Sequence, residues 1–230
     1  MCDQPERIDD VWTKVDQYFG DAQARHDAAL TAALASSVAA GLPEIQVSQN
    51  QGKFLHVLAT ALGATRILEI GTLGGYSTIW MARALPPGGV LVTLEYEPKH
   101  AEVARANIAR AGLADVVEIR VGAALDTLPQ LDARRPFDLI FIDADKPNIP
   151  NYFTWALKLA RVGTVIIVDN VVRKGGVVDP DNTDANVQGV RKFYDALAKD
   201  KRVTATAMQT VGSKGYDGFA IALVVTAGRA

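Results

Sequence analysis

The sequence predicts an α/β fold, a Rossmann-like, doubly wound three-layer sandwich in which helices cover both faces of a mostly parallel seven-stranded sheet. Three observations predict it. From residue 66 onward, short β-rich runs alternate with helical patterns, as in successive βαβ units. These runs are apolar on both faces, as strands covered by helices must be. No helix separates the last two β-rich runs, so we expect an antiparallel pair at the end of the sheet.

The first part of the chain has a helical pattern. Between residues 5 and 40, apolar residues recur at three- and four-residue steps, first at Ile8, Val11, Trp12, Val15 and Phe19. A third helix is expected from Ser48, because Ser48 and Gln51 have capping-box spacing. The apolar faces of these helices must pack on the main domain or on a second copy of the chain. We expect one domain over 1–230, comprising N-terminal helices in 1–62 and a Rossmann-like core in 63–230.

The core pattern places strands and helices in alternation. Parallel strands are expected at 67–70, 90–94, 116–121, 139–142 and 165–168. Helices are expected at 77–85, 98–111, 123–128, 152–160 and 186–198. The final pair, 203–208 and 219–225, is joined by a turn rich in Gly, Ser, Lys and Asp.

Composition excludes several classes of protein. The 230 residues are 49% hydrophobic and 22% charged, with a formal net charge of -2, so neither general disorder nor general nucleic-acid binding is indicated. No signal peptide or membrane-spanning run is recognisable, and a cytoplasmic protein without a membrane partner is expected. The single cysteine, Cys2, has no internal disulfide partner, and His26, His56 and His100 lack metal-site spacing.

A glycine-rich turn follows the first predicted strand. In open α/β sheets, ligands bind beyond the carboxyl ends of the strands, and here the strand continues into Glu69-Ile70-Gly71-Thr72-Leu73-Gly74-Gly75-Tyr76-Ser77. The dinucleotide fingerprint requires glycine where this turn has Leu73 and Tyr76. The turn therefore does not predict a pyrophosphate site, and a tight turn without a ligand remains an alternative.

Two glutamates end the first two strands. Glu95 follows the second strand, where an acid can accept hydrogen bonds from both ribose hydroxyls of an adenosine. Glu69, at the end of the first strand, adds a second negative charge. This pair favours a positively charged ligand, such as an aminoacyl sulfonium, over a pyrophosphate. S-adenosylmethionine fits both acids.

Oxygen ligands follow the fourth and fifth strands. If these strands are neighbours, Asp143, Asp169 and Asn170 meet at one sheet edge. Such hard ligands suit Mg²⁺, Mn²⁺ or Ca²⁺ rather than zinc. Helix capping is the alternative role for each aspartate. Lys146 is a candidate general base, because a nearby divalent cation lowers the pKa of an ammonium group.

Taken together, these motifs resemble the cation-dependent, S-adenosylmethionine-dependent O-methyltransferases of the caffeoyl-CoA and catechol type, in particular their small bacterial members. By position, the resemblance implies Asp143, Asp169 and Asn170 as ligands of Mg²⁺ and Lys146 as the base that takes the phenolic proton. It implies a homodimer and a catecholic or polyphenolic acceptor. The residues that it assigns to the methyl donor are Val47, Glu69, Gly71, Thr72, Ser77, Glu95, Ala123 and Asp145.

Two segments depart from the plant-type pattern. After Lys146 the chain has Pro147-Asn148-Ile149-Pro150 in place of an aspartate and a tyrosine, and it keeps only the later Tyr152. Beyond Asn170, Lys174 replaces a substrate-facing asparagine, next to Arg173. This basic pair either favours an anionic acceptor or forms a solvated surface loop. The departure at Lys174 argues against caffeoyl-CoA as the acceptor.

The sequence leaves three hypotheses open. The first is a Mg²⁺-dependent O-methyltransferase of catecholic or polyphenolic acceptors. The second is an NAD(P)-dependent reductase on a similar sheet, against which the glycine spacing argues. The third is a non-catalytic binding module that keeps the fold, against which the combination of two aspartates, an asparagine and a lysine argues.

Overall fold

The structure, a computed structural model, describes residues 7–226 of the chain. In this range the α-helices, numbered α1 to α8, are Ile8–Gln23, Ala28–Ala39, Gln49–Ala61, Tyr76–Ala82, Pro98–Arg110, Ala124–Thr127, Ile149–Lys158 and Ala185–Lys199. The strands, numbered β1 to β7, are Arg66–Ile70, Val90–Glu95, Val117–Val121, Phe137–Ile142, Ala160–Asp169, Val203–Gly212 and Gly215–Val224. Short 3₁₀ turns occupy Leu128–Gln130, Lys146–Asn148 and Arg173–Val178.

All seven strands form one sheet in the order β3-β2-β1-β4-β5-β7-β6. Pairing is parallel from β3 through β5, and β7 lies antiparallel between β5 and β6. The predicted doubly wound fold with an antiparallel end is thus confirmed. Because β2 and β4 lie on opposite sides of β1, the strand order reverses there, and a crevice opens beyond the carboxyl ends of these strands.

Alternate residues of each central strand face opposite helical layers. In β4, Leu139 and Phe141 pack in the core beneath α2 to α5, whereas Ile140 and Ile142 pack beneath α7 and α8. All four side chains are fully buried. Burial on both faces explains why the central strands read as continuous apolar runs rather than as an alternating pattern.

The N-terminal helices pack mainly on the rest of the chain. Leu30 of α2 and Leu55 of α3 are fully buried in the same core as the sheet. Helix α1 lies beside β6, where the Asp16 carboxylate accepts a 2.8 Å hydrogen bond from the backbone N–H of Ser213. Large apolar side chains of α1 remain exposed, notably Tyr18 (71%) and Phe19 (52%). The predicted pattern from residue 5 divides into α1 and α2, and residues 5 and 6 lie outside the described range.

Several predicted boundaries were wrong. Residues 209–218 were expected in a turn, but β6 and β7 extend through most of them and meet at Ser213-Lys214. Gly215 there has φ +85°, which favours glycine. Polar residues are tolerated in β6 because it is an exposed edge strand. The predicted helix at 152–160 instead ends at residue 158, and residue 160 already begins β5. The helix expected at 123–128 is a single α-turn followed by a 3₁₀ turn.

Candidate functional site

A cavity of about 740 Å³ opens beyond the carboxyl ends of the central strands. Its walls come from the turn after β1 and from residues that follow β2, β3, β4 and β5. Residues 45–47 of the N-terminal segment close another side. The cavity lies in the crevice where an α/β sheet binds ligands, and its volume is in the range of small-molecule sites.

The turn after β1 lies directly against the end of β4. Gly71 has φ +99°, and a Cβ atom at this position would collide with the backbone carbonyl oxygen of Asp143. Its N–H donates a 2.9 Å hydrogen bond to the Leu94 carbonyl oxygen at the end of β2. Gly75, with φ +81°, is the N-cap of α4. Glycine is required here to bring the ends of three strands close together.

Glu95 fixes this turn from the cavity wall. One carboxylate oxygen, Oε2, accepts hydrogen bonds from the N–H groups of Thr72 (3.0 Å) and Leu73 (2.8 Å). The other, Oε1, accepts from the Glu97 N–H at 2.9 Å and lies 3.4 Å from His100 Nδ1. Since Glu95 lines the cavity, it can stabilise the glycine turn and also face a ligand.

Glu69 lies behind the turn rather than on the cavity wall. It is fully buried, and its carboxylate accepts hydrogen bonds from the hydroxyls of Ser77 (2.6 Å), Thr78 (2.5 Å) and Thr93 (2.8 Å). Burial raises the pKa of Glu69 to about 7, although the three hydroxyls favour the ionised form. Among the residues of this hydroxyl cage, Ser77 reaches the cavity.

Charged groups meet at the ends of β4 and β5. Lys146 Nζ donates a 2.9 Å hydrogen bond to Asp143 Oδ1, and only 7% of Lys146 is exposed. Asp169 Oδ2 accepts a 2.8 Å hydrogen bond from Gln51 Nε2 of α3. Burial and the negative charge of Asp143 raise the pKa of Asp169, whereas Lys146 opposes the shift. The two aspartates therefore repel each other in a nearly buried setting. A bound cation would relieve this repulsion.

The donor chemistry of this group fits a hard divalent cation. Asp143 and Asp169 supply carboxylates, and Asn170 adds an amide oxygen on the cavity wall. Asn170 has φ +57°, a conformation that asparagine adopts more readily than most residues. No cluster of three or more His, Cys, Asp or Glu side chains suited to a metal occurs within residues 7–226. The trio thus supplies too few ligands for a closed protein cage and leaves positions for other oxygens.

The segment that departs from the plant-type pattern forms part of the cavity wall. Asn148 and Tyr152 both line the cavity and both hold Asp145. Asn148 Nδ2 donates a 2.6 Å hydrogen bond to Asp145 Oδ2, and the Tyr152 hydroxyl donates to Asp145 Oδ1. Burial and the neighbouring Asp145 carboxylate raise the pKa of Tyr152. Asp145 is therefore oriented by two donors from the turn and helix that follow it.

The structure brings the predicted site residues together around one cavity. Those on its wall are Val47, Gly71, Thr72, Ser77, Glu95, Ala123, Asp143, Asp145, Lys146 and Asn170. Glu69 and Asp169 lie directly behind this wall, 0% and 4% exposed. Arg173 lines the cavity but Lys174 does not.

Sequence reasoning missed three residues near these groups. Tyr96 and His100 line the cavity, and the position of Tyr96 directly after the second strand was a usable signal. Gln51 was expected only in a capping box. Ser48 Oγ does accept the Gln51 N–H, at 3.2 Å, but the Gln51 side chain reaches Asp169 instead of the N-cap backbone. No pattern within α3 indicates that contact.

Comparison with known proteins finds matches over most of the chain. Residues 22–223 match the model of the O-methyltransferase family. A catechol O-methyltransferase of Mycobacterium tuberculosis is 57% identical over 210 residues, which are 91% of this chain and 94% of that protein. A catechol O-methyltransferase of Niastella koreensis is 55% identical over 216 residues, 93% of this chain and 98% of that protein. The crystal structure of an O-methyltransferase from Bacillus cereus in complex with SAH is 57% identical, with a TM-score of 0.92, and covers 94% of this chain and 100% of that one.

Proposed function

This chain belongs to the O-methyltransferase family, and from that premise we propose that it transfers a methyl group from S-adenosylmethionine to one hydroxyl of a catechol-like or polyphenolic acceptor, with Mg²⁺, or Mn²⁺ or Ca²⁺, as the required cation. The observation that carries the proposal is that one cavity is bordered by both the glycine turn with Glu95 and the Asp143, Lys146 and Asn170 group. Donor and acceptor can therefore meet in it. Family membership confirms the resemblance expected from the motifs and argues against the reductase and the non-catalytic module.

The proposed donor site extends along the turn after β1. SAH, present in the Bacillus cereus relative, is what remains of S-adenosylmethionine after the methyl group leaves. We assign Glu95 to the ribose hydroxyls, because it ends β2 and faces the cavity. Glu69 would act behind the wall through Ser77. The further residues assigned to the donor are Val47, Gly71, Thr72, Ala123 and Asp145.

The proposed cation site is Asp143, Asp169 and Asn170. When bound there, the cation would lower the pKa of a coordinated hydroxyl and hold its oxygen in place. Gln51 holds one oxygen of Asp169 at 2.8 Å, and Lys146 holds one oxygen of Asp143 at 2.9 Å. These contacts orient the carboxylates before any ligand arrives, so little rearrangement accompanies binding.

Lys146 is the proposed general base. Lys146 lines the cavity and its Nζ lies beside Asp143, where a neutral amine could accept the proton of the reacting hydroxyl. The phenolate oxygen then forms a bond to the methyl carbon as the carbon–sulfur bond of the donor breaks. The apolar part of the wall, including Val47 and Leu125, would exclude water and favour alignment of the two reactants. No covalent enzyme intermediate is required.

The test is methyl transfer from labelled S-adenosylmethionine to a panel of catechols, flavonoids and caffeate esters, with Mg²⁺ and then with excess EDTA. We expect methylation of vicinal diols that EDTA abolishes. Asp169→Ala and Asn170→Ala should each lose the metal-stimulated rate but still bind the donor in calorimetry. Unchanged activity in both variants would refute the cation site. Donor binding without methylation of any diol would refute the acceptor class.

We also propose that the chain acts as one domain and forms a homodimer. The shared core of α2, α3 and the sheet supports the single domain. The exposed apolar residues Val15 and Phe19 of α1 and Met208 and Val211 of the neighbouring β6 support a second copy as partner. Light scattering should give about twice the chain mass, and Phe19→Glu should lower it. A monomeric wild-type protein would contradict the dimer.

Within residues 7–226, no helix combines the length and the apolar character that a membrane span requires.

A further inference from the structure

Arg173 and Lys174 are adjacent cations with different surroundings. Both have a left-handed backbone, at φ +54° and +53°. Arg173 lines the cavity, together with Lys146 and Asn170, whereas Lys174 does not. The structure therefore separates the two members of a basic pair that the sequence could not distinguish.

The unusual backbone at Arg173 is held by a specific contact. Asp217 of β7 accepts hydrogen bonds at Oδ1 from the N–H groups of Val172 (2.9 Å) and Arg173 (3.0 Å). A non-glycine residue at positive φ is costly unless its surroundings impose it. Asp217 provides such a constraint, so the position of Arg173 on the wall is fixed by the fold.

The guanidinium group retains its capacity to bind an anion. Its one ion pair within 4 Å among the described residues is with Asp217 Oδ2, at 3.8 Å from Nη1, too long for a hydrogen bond. Its side chain is 32% exposed. The pKa of the Asp184 carboxyl is lowered mainly by hydrogen bonds from nearby backbone N–H groups and, to a smaller extent, by the positive charge of Arg173. The guanidinium group donates no hydrogen bond to another residue within 7–226, so its planar donors can meet a carboxylate in a bidentate pair. Elsewhere on the wall, Lys146 is already paired with Asp143.

We propose that Arg173 binds a carboxylate of the acceptor, so that the enzyme prefers catechols that carry a ring or side-chain carboxylate over neutral catechols. The inference rests on the proposed function, since it concerns the acceptor of that reaction. Asn170, assigned to the cation that would hold the hydroxyls, is three residues before Arg173 on the same wall. The wall thus offers an oxygen ligand toward the diol and, three residues further along the chain, a cation toward an anionic group of the acceptor.

The test compares 3,4-dihydroxybenzoate with its neutral analogue 3,4-dihydroxybenzamide. For each enzyme variant, kcat/KM is measured for both acceptors, and their ratio is compared with that of the wild type, which cancels the intrinsic reactivity of the two rings. In Arg173→Gln, the ratio of benzoate to benzamide should fall about tenfold to hundredfold, the range of a lost charge-assisted hydrogen bond. In Arg173→Lys this ratio of kcat/KM values should fall less, because lysine keeps the charge but loses the bidentate geometry.

Lys174→Gln is the matched control, since it removes the same charge from the same kind of backbone conformation. Its ratio should equal that of the wild type. Calorimetry of 3,4-dihydroxybenzoate with the S-adenosylhomocysteine complex gives a readout independent of turnover, and Arg173→Gln should weaken this binding by the same factor. An equal loss for both acceptors, or the same change of ratio in Lys174→Gln, would overturn the assignment. If the wild type methylates no diol of the acceptor panel, the proposed function fails. If it methylates other diols but not 3,4-dihydroxybenzoate, or if Arg173→Gln keeps the ratio, only the role of Arg173 fails.

Discussion

Two buried carboxylates, Glu69 at the end of β1 and Asp169 at the end of β5, have raised pKa values in very different surroundings. Burial is the largest cause for both. Around Glu69 the compensating groups are three neutral hydroxyls. Around Asp169 they include the Lys146 ammonium group and the Gln51 amide, while Asp143 adds a repelling negative charge.

This difference distinguishes a complete polar network from one that can still accept a cation. Three hydroxyls satisfy the oxygens of Glu69, and the negative charge of Asp143 raises the pKa of Glu69 less than burial does. At the other site two carboxylates share a low-dielectric environment with a single ammonium group, so negative charge remains in excess. A similar direction of pKa shift therefore accompanies a structural role in one region and a candidate reactive role in the other.

Replacement of Lys146 tests the reactive region and should have the largest effect. Lys146→Gln removes the proposed base and should lower kcat by about 10²- to 10⁴-fold, the usual contribution of a positioned general base. Lys146→Arg keeps a positive charge beside Asp143 but cannot release its proton near neutral pH. It should therefore be nearly as slow, as measured by initial rates at saturating donor and cation.

Calorimetric donor binding is the control for both Lys146 variants and should match the wild type. Substantial activity in Lys146→Arg, with little in Lys146→Gln, would mean that Lys146 acts only as the positive partner of Asp143. The groups around Asp143 and Asp169 would then have a structural role, as the hydroxyls around Glu69 do.

Glu69→Gln tests the structural region through the pH dependence of stability. Because the native pKa of about 7 exceeds the ordinary value of 4.5, the folded state binds the proton more tightly. The stability that this tighter proton binding gives to the folded state is complete below about pH 4.5 and is lost as the pH rises to 7. Glutamine has no such titration, so the stability of the variant relative to the wild type should rise by about 3 kcal/mol across this window.

Denaturant unfolding at several pH values between 4.5 and 8 measures this change. Glu118→Gln is the control, because Glu118 is an exposed carboxylate that pairs with Arg120 on the surface, and it should shift relative stability by less than about 0.5 kcal/mol. If the free energies of unfolding of wild type and Glu69→Gln differ by the same amount at every pH, Glu69 is ionised in the folded protein throughout this pH range.

Much of this comparison was predictable from sequence. The β-rich runs placed Asp143, Asp169 and Asn170 after strands, and parallel strands bring such positions to one edge of a sheet. The glycine turn likewise indicated where β1 ends. These inferences depend on local pattern and on general rules of α/β topology, which the structure follows.

Other features depend on long-range packing and could not be predicted. The contact of Gln51 with Asp169 joins residues 118 positions apart. The cage around Glu69 depends on the register that sets Glu69 beside Thr93. The insertion of β7 between β5 and β6 places Asp217 next to the Arg173 loop. In each case the sequence supplies the functional group, but only the fold supplies its partner.

Replacement of Gln51 should have the smallest of the three effects, because this residue acts through a proposed ligand rather than on the reactants. Gln51→Ala removes the amide that holds Asp169 Oδ2 and should raise the Mg²⁺ concentration for half-maximal activity by about 10- to 100-fold, with kcat at saturating Mg²⁺ much less affected. Gln49→Ala is the control: it removes a 2.7 Å hydrogen bond of the same helix, to the Ala24 carbonyl oxygen, away from the cavity. An equal shift in both variants would mean that α3 contributes only stability. A shift confined to Gln51→Ala would show that the N-terminal helices also orient the acidic group. The hydroxyls around Glu69, in contrast, come from α4 and β2 and need no contact from those helices.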